Sequence, residues 1–228
     1  MIGIAPYSGQ PDAWLGFHPD GRNIAQRGEG DSTSIQVIPV DVVTAETGAR
    51  RWVQILRAEK GGALTLLVDP DGRIGLSRVE RPVTRDQNAW AAAWPKLRLD
   101  TLGRISWELT RGFAAPEDMT PSDTAFREAK AEGGVVSGAI VEFGFLGWSN
   151  DNTSSSPHQT TDMWAMVNPA WLADPTPDPN EGIIGSVQWF TLEELDELRR
   201  SGDLFCNYTL GAIALWMIMQ GFRAPVSS

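Results

Sequence analysis

The chain has 228 residues, 42% of them hydrophobic and 21% charged, enough for one substantial core with a small appended element. A net charge of −10 and a pI of about 4.7 exclude ready binding to a nucleic-acid backbone, and any phosphate ligand would need cations or a local arginine cluster. Two histidines and one cysteine exclude a histidine-rich zinc site and an internal disulfide.

The opening MIGIAPYSGQPDAW lacks the basic start and apolar run of a signal peptide. The longest apolar stretch, Ala212 to Met219, is far short of the ~20 residues of a membrane span. A soluble cytoplasmic protein with no membrane partner is therefore the expectation. Residues 1–33, rich in Gly, Pro and polar residues, read as an irregular arm. Ser34 to Val43 and Arg51 to Leu56 read as strands joined by a turn at Thr44 to Gly48, an N-terminal element spanning 34–60. Ala63 to Val68 and Ile74 to Val79 flank Asp69-Pro70-Asp71-Gly72, a hairpin signal that opens a main domain over 61–224.

Asn88 to Trp94 suits a short helical turn ended by Pro95. A strand is predicted to finish at Trp107-Glu108-Leu109, followed by a glycine-marked loop. Thr120 then caps a helix with Pro121 at its first position and Asp123 completing a capping box, and Gly133-Gly134 stops it. Val135 to Phe145 and Asp162 to Val167 read as strands around a polar loop. Asn168 to Asn180, with four prolines and two aspartates, is a loop or lid. Ile183 to Phe190 alternates like a strand, Thr191 caps a helix over Leu192 to Arg200, and Asn207 to Gln220 is an apolar final helix. The order of elements predicts an α+β protein, an α/β/α sandwich around a mixed sheet.

The helix after Thr120 carries the chemistry. With Ala125 at 0° on a helical wheel and ~100° per residue, Ala129 falls near 40°, Glu132 near 340° and Glu128 near 300°. Both glutamates adjoin the small-residue stripe that faces the sheet, where a merely solvated pair would not be placed. Like charges four residues apart repel by ~0.2–0.5 kcal/mol, and a hard cation accepting carboxylate oxygens would offset that.

Arg127, Glu128, Ala129, Glu132, Gly134 and Val135, with Gly112 upstream, resemble the box of the Nudix hydrolase family, which ends R-E-U-x-E-E-x-G-U with U aliphatic. The run Trp107 to Phe113 is similar to the W-E-L/I-P-x-G entry of the ADP-ribose pyrophosphatase-type members. Val187 to Leu195 is similar to the family's closing strand and helix. Val79-Glu80-Arg81-Pro82 is similar to its strand end with an arginine. The likeness spans roughly residues 35–220, and it departs at three points. Thr110 replaces a proline. The loop from Gly112 to Arg127 is one residue longer, which leaves Glu117 or Asp118 for the box's first glutamate. Ala131 stands where the first of two adjacent glutamates belongs.

The resemblance implies hydrolysis of a nucleoside diphosphate linked to another moiety, of the ADP-ribose or nucleotide-sugar class. It implies magnesium or manganese held by Glu128 and Glu132, with a loop carbonyl near Gly112 as a further candidate ligand, and Arg127 orienting the loop. Glu181 is the candidate base, with Asp178 and Asp162 behind it. Arg81 and Glu108 are candidates for lining the substrate site, and Trp148 and Trp164 for stacking a base. The N-terminal strands resemble those that pair subunits, implying a homodimer. Ala131 keeps open an alternative from another class, a catalytically weak or inactive domain that binds a nucleotide as a sensor or binding module.

Overall fold

The computed structural model describes residues 2–6, 36–44, 46–58, 61–80, 105–150, 159–177 and 182–221. Two compact units divide the chain, one of residues 1–60 with 150–158 and one of residues 61–149 with 159–228. In the first, β1 (Ile2–Pro6), β2 (Gln36–Thr44) and β3 (Arg50–Ala58) form an antiparallel sheet in the order β1-β2-β3. The arm expected over residues 1–33 therefore begins with a strand. Its partner, Val40 to Thr44, is distant in sequence, so no local pattern announces the pairing. Thr44 accepts the Gly48 N–H at 2.8 Å, and Gly48 takes the positive φ of 66° that this turn needs.

The second unit is built on a mixed seven-stranded sheet. Its strands are β4 (Gly62–Val68), β5 (Ile74–Val79), β6 (Ser106–Glu108), β7 (Thr110–Phe113), β8 (Ile140–Ser149), β9 (Thr160–Val167) and β10 (Ile183–Phe190). The order is β10-β5-β4-β9-β8, with β4 and β9 parallel. Both ends of the β4–β5 hairpin pair differently: β6 lies on β5, and β7 lies on β4 from Thr65↔Thr110 to Gly62↔Phe113. The expected loop after Leu109 is thus a strand. At the break between β6 and β7 the Leu109 N–H donates to Thr209 Oγ1 of the last helix at 3.2 Å.

Alternation along β4 sorts the two faces. Leu64, Leu66 and Val68 join Leu195, Ala212, Ile213 and Trp216 in one core cluster. Leu67 packs with Ala129, Val135, Ala165 and Val167, and Ala63 with Ala125 and Met163. Helix α1 (Pro121–Gly133) covers the second face. Helices α2 (Leu192–Ser201) and α3 (Asn207–Met219) cover the first. The α/β/α sandwich with a mixed sheet, preceded by antiparallel strands, is what the sequence predicts. Among the described residues no helix is long and apolar enough to cross a membrane.

The caps of α1 are those the sequence spells. Thr120 accepts the Asp123 N–H while Asp123 accepts the Thr120 N–H, and Gly134 closes the helix in the left-handed region. Its terminal carbonyls are satisfied by the proline-rich segment: Thr176 N–H donates to Ala131 O at 2.7 Å and Ala173 N–H to Gly134 O at 2.8 Å. Two boundaries differ from expectation. β8 starts at Ile140, because the left-handed Gly134 and a 3-10 turn at Ser137–Ala139 redirect the apolar Val135-Val136 before pairing begins. The helical turn expected at Asn88 to Trp94 lies outside the described residues.

Gly134 has no room for a side chain. A Cβ there would stand 1.9 Å from the Ala173 carbonyl oxygen, on a backbone with φ of 68°. Gly134→Ala is expected to destabilise the fold by more than the ~1–2 kcal/mol of the left-handed conformation alone. Urea denaturation checks this, and an unchanged midpoint would contradict the packing described.

Candidate functional site

Helix α1 presses both of its glutamates against the sheet. Ala125 and Ala129 are 0% and 1% exposed, and Glu128 and Glu132 are 5% and 2% exposed, as the wheel requires. Buried carboxylates need donors. Glu132 Oε2 accepts the backbone N–H of Arg111 in β7 at 2.8 Å. Glu128 Oε1 accepts from Arg127 Nη1 at 2.6 Å.

Gly112, paired with Ala63 in β7, makes this approach possible. A Cβ on it would lie 2.1 Å from Glu128 Oε1 and 2.3 Å from Cδ, so only glycine lets the carboxylate meet the strand. Thr65 Oγ1 donates to the Ala125 carbonyl at 3.0 Å and Thr110 Oγ1 to the Thr65 carbonyl at 3.3 Å, tying helix and strands together below the acids.

The loop between Gly112 and α1 is organised by Arg127. Its Nη2 donates to the Phe113 carbonyl at 2.7 Å and to Asp118 Oδ2 at 2.9 Å. Asp118 also accepts from Ala115 N–H and Thr124 Oγ1. Of the two acids offered by the lengthened loop, Asp118 is the one that reaches the arginine; Glu117 is exposed. The hydrogen bond from Arg127, reinforced by Ala115 N–H, holds the Asp118 carboxyl down at about 2. Asp118 in turn raises the Arg127 guanidinium. Burial raises Glu128, with the Arg127 charge pulling the other way. An acid in that state gains from a nearby cation.

Glu108 is buried at the end of β6, where its Oε2 meets Arg111 Nη2 at 3.2 Å. Arg111 also lies over the Tyr208 ring, 5.3 Å from its centroid. The sequence reading missed this arginine. The available signal was a basic residue directly beside the box glycine in an acidic chain.

The remaining candidates scatter. Trp148 is 63% exposed on β8 and packs edge-on to Phe145. Trp164, paired with it in the sequence reading as a stacking residue, is 8% exposed and rests on Trp216 in the core, so burial leaves it packing instead. Asp162 is fully buried on β9, holding the Ser149 hydroxyl at 2.8 Å, and its other oxygen has no partner. Arg81, Glu181 and Asp178 lie outside the described residues. A cleft of about 210 Å³ adjoins the loop at Asp118, Thr120 and Thr124. A larger one of about 570 Å³ lies around the Asp69–Arg73 turn, at the other end of β4 from the glutamates.

Among the described residues no group of three or more His, Cys, Asp or Glu side chains is placed to hold a metal ion. Two carboxylates nonetheless fit a magnesium-like cation, which keeps several waters and takes further oxygens from substrate phosphates.

A NUDIX domain model matches residues 61–205, more than half of the chain, including β6, β7, the loop after them and α1. The chain belongs to the NUDIX domain family. Among solved structures, the Nudix chain is similar to one described as the crystal structure of ADP compounds hydrolase, at 18% identity and a TM-score of 0.57. That alignment covers 86% of this chain and 91% of the other, and it shows a shared fold. A search of curated proteins finds no match.

Burial raises the Asp162 carboxyl from 3.8 to about 6, opposed by the Ser149 hydrogen bond. The folded state then binds this proton more tightly than the unfolded chain. Its contribution is most favourable below about pH 4, declines as pH rises to about 6, and is constant above. Asp162→Asn is therefore expected to match the parent near pH 4 and to exceed it by up to ~3 kcal/mol at pH 7.5. Thermal denaturation at the two pH values measures it, and a variant less stable at pH 7.5 would reverse the sign.

Proposed function

We propose that this Nudix domain hydrolyses a nucleoside diphosphate linked to another moiety, ADP-ribose and nucleotide sugars being the substrate class. The observation that carries the reading is the pair Glu128 and Glu132, buried side by side against β7 within the matched segment. They would hold magnesium or manganese, which neutralises phosphate charge and makes water a stronger nucleophile near neutral pH. Arg127 keeps the Phe113–Asp118 loop closed over Glu128, and the Arg111 N–H fixes Glu132. Trp148 offers an exposed face on which a base can stack. Glu181 as the group that takes the proton of the attacking water, and Arg81 as a bidentate phosphate clamp, complete the proposal. Pairing of subunits through the β1–β3 sheet is part of it, read out by light scattering.

A second reading has its own support. Ala131 removes a box carboxylate, and no third metal-ligating side chain joins the pair among the described residues. On that reading the domain binds the nucleotide without cutting it.

Incubation with ADP-ribose, nucleotide sugars and Mg²⁺ or Mn²⁺ is expected to release nucleoside monophosphate. Glu132→Gln is expected to lower that rate by ~100-fold or more, equivalent to ~2.7 kcal/mol of transition-state stabilisation. No monophosphate from folded parent protein, with activity appearing in Ala131→Glu, would instead mark the natural domain as a degraded enzyme and contradict the hydrolase reading.

A further inference from the structure

We infer that the small cleft beside the Asp118 loop is a nucleobase subsite, where Trp148 stacks the base and Gln159 reads its edge. The inference deepens the reading above and rests on it for the class of ligand, a nucleotide. Strand register lays out the path. On the face that α1 covers, Gly112 pairs with Ala63, Ala63 with Thr161, and Thr161 with Trp148. One cross-strand row therefore begins at the Glu128 carboxylate, which abuts Gly112, and ends at the indole. Three inter-strand steps separate those ends, about 14 Å in all. A nucleotide whose phosphates meet a cation at Glu128 covers that span with its sugar and base.

The cleft, of about 210 Å³, meets this row at Thr161, beside the start of α1. Gly61, Gly62 and Ala114 give much of its lining almost no side-chain volume. Among the described residues that line it there is no lysine or arginine. Its one ionisable group, Asp118, is already held by Arg127, the Ala115 N–H and Thr124. A phosphate finds no cation there, and a neutral ring meets no unpaired charge.

The polar groups left over are those a base would use. Among the described residues, neither the Gln159 amide nor the Thr161 hydroxyl of this lining has a hydrogen-bond partner. An amide presents a donor and an acceptor side by side, which pair with the matching edge of adenine. Trp148 is 63% exposed, and its edge-on contact with Phe145, centroids 4.8 Å apart, orients the ring without burying it. A flat aromatic face that is fixed in place and open to solvent is suited to stacking a base.

The test is calorimetric titration with AMP, GMP and ribose 5-phosphate, without added metal, on the parent, Trp148→Ala and Gln159→Glu. The parent is expected to bind AMP about tenfold more tightly than ribose 5-phosphate, and Trp148→Ala to lose about tenfold in AMP affinity. Gln159→Glu exchanges the amide donor for a second acceptor. It should move the AMP-to-GMP preference about tenfold toward GMP, whose base edge offers two donors. Circular dichroism verifies folding, and if Trp148→Ala does not fold, Gln159→Glu carries the test. Parental AMP affinity in Trp148→Ala, or an unchanged AMP-to-GMP preference in Gln159→Glu, would overturn the inference. Equal binding of AMP and ribose 5-phosphate to the parent would overturn it too, since only sugar and phosphate would then be held. Titrations as expected, without turnover of any nucleotide, would remove the hydrolase reading and leave this one supported. Turnover with parental KM in both variants would do the reverse.

Discussion

The carboxylate of Glu128 sits where the Cβ of any residue but glycine at position 112 would stand, 2.1 Å from Oε1. This contact fixes how deeply α1 can settle on the sheet and where its acids lie. Ala125 and Ala129 supply the low-volume stripe that allows the helix to approach, and Glu128 and Glu132 flank it. Burial would be prohibitive for two bare carboxylates. Here each has a charged or backbone donor, Arg127 for one and the Arg111 N–H for the other. The result is a concentrated, partly desolvated negative charge on an otherwise ordinary helix. Strand β7 is therefore more than a connector, since its glycine makes space and its amide holds an acid.

The site tolerates an altered loop because one arginine integrates it. Arg127 binds the Phe113 carbonyl, Asp118 and Glu128 at once. A lengthened segment between Gly112 and α1 changes which acid arrives, and the shorter Asp118 reaches the guanidinium with help from Ala115 and Thr124. Ala131 is a different kind of change. It takes away a carboxylate that would help hold further metal, while Arg111 adds a positive charge nearby. Both shifts reduce the net negative charge of the site, so they act in the same direction on its appetite for cations.

Local chemistry was legible in the sequence, and long-range pairing was not. The span and orientation of α1 follow from Thr120, Pro121, Asp123, the alanine stripe and Gly134, all within a few residues of one another. The β4–β5 hairpin follows from its Asp-Pro-Asp-Gly turn. By contrast β1 and β7 form only because distant strands accept them, and Thr-Arg-Gly-Phe alone resembles a turn. Trp148 and Trp164 are equivalent as letters; their contrasting burial depends on which one meets Trp216 of α3. The choice between Glu117 and Asp118 needed the path of the loop. Arg111 escaped notice because its meaning lies in Glu108, Glu132 and Tyr208, which come from three different elements.

The central claim is that Glu128 and Glu132 together grip a hard dication. The most direct measurement is an anomalous difference map from crystals of the protein soaked in Mn²⁺. The account predicts a peak between the two carboxylates, on the side of α1 that faces Gly112. Saturating Mn²⁺ with no peak at that position, with or without a nucleoside diphosphate present, would contradict it.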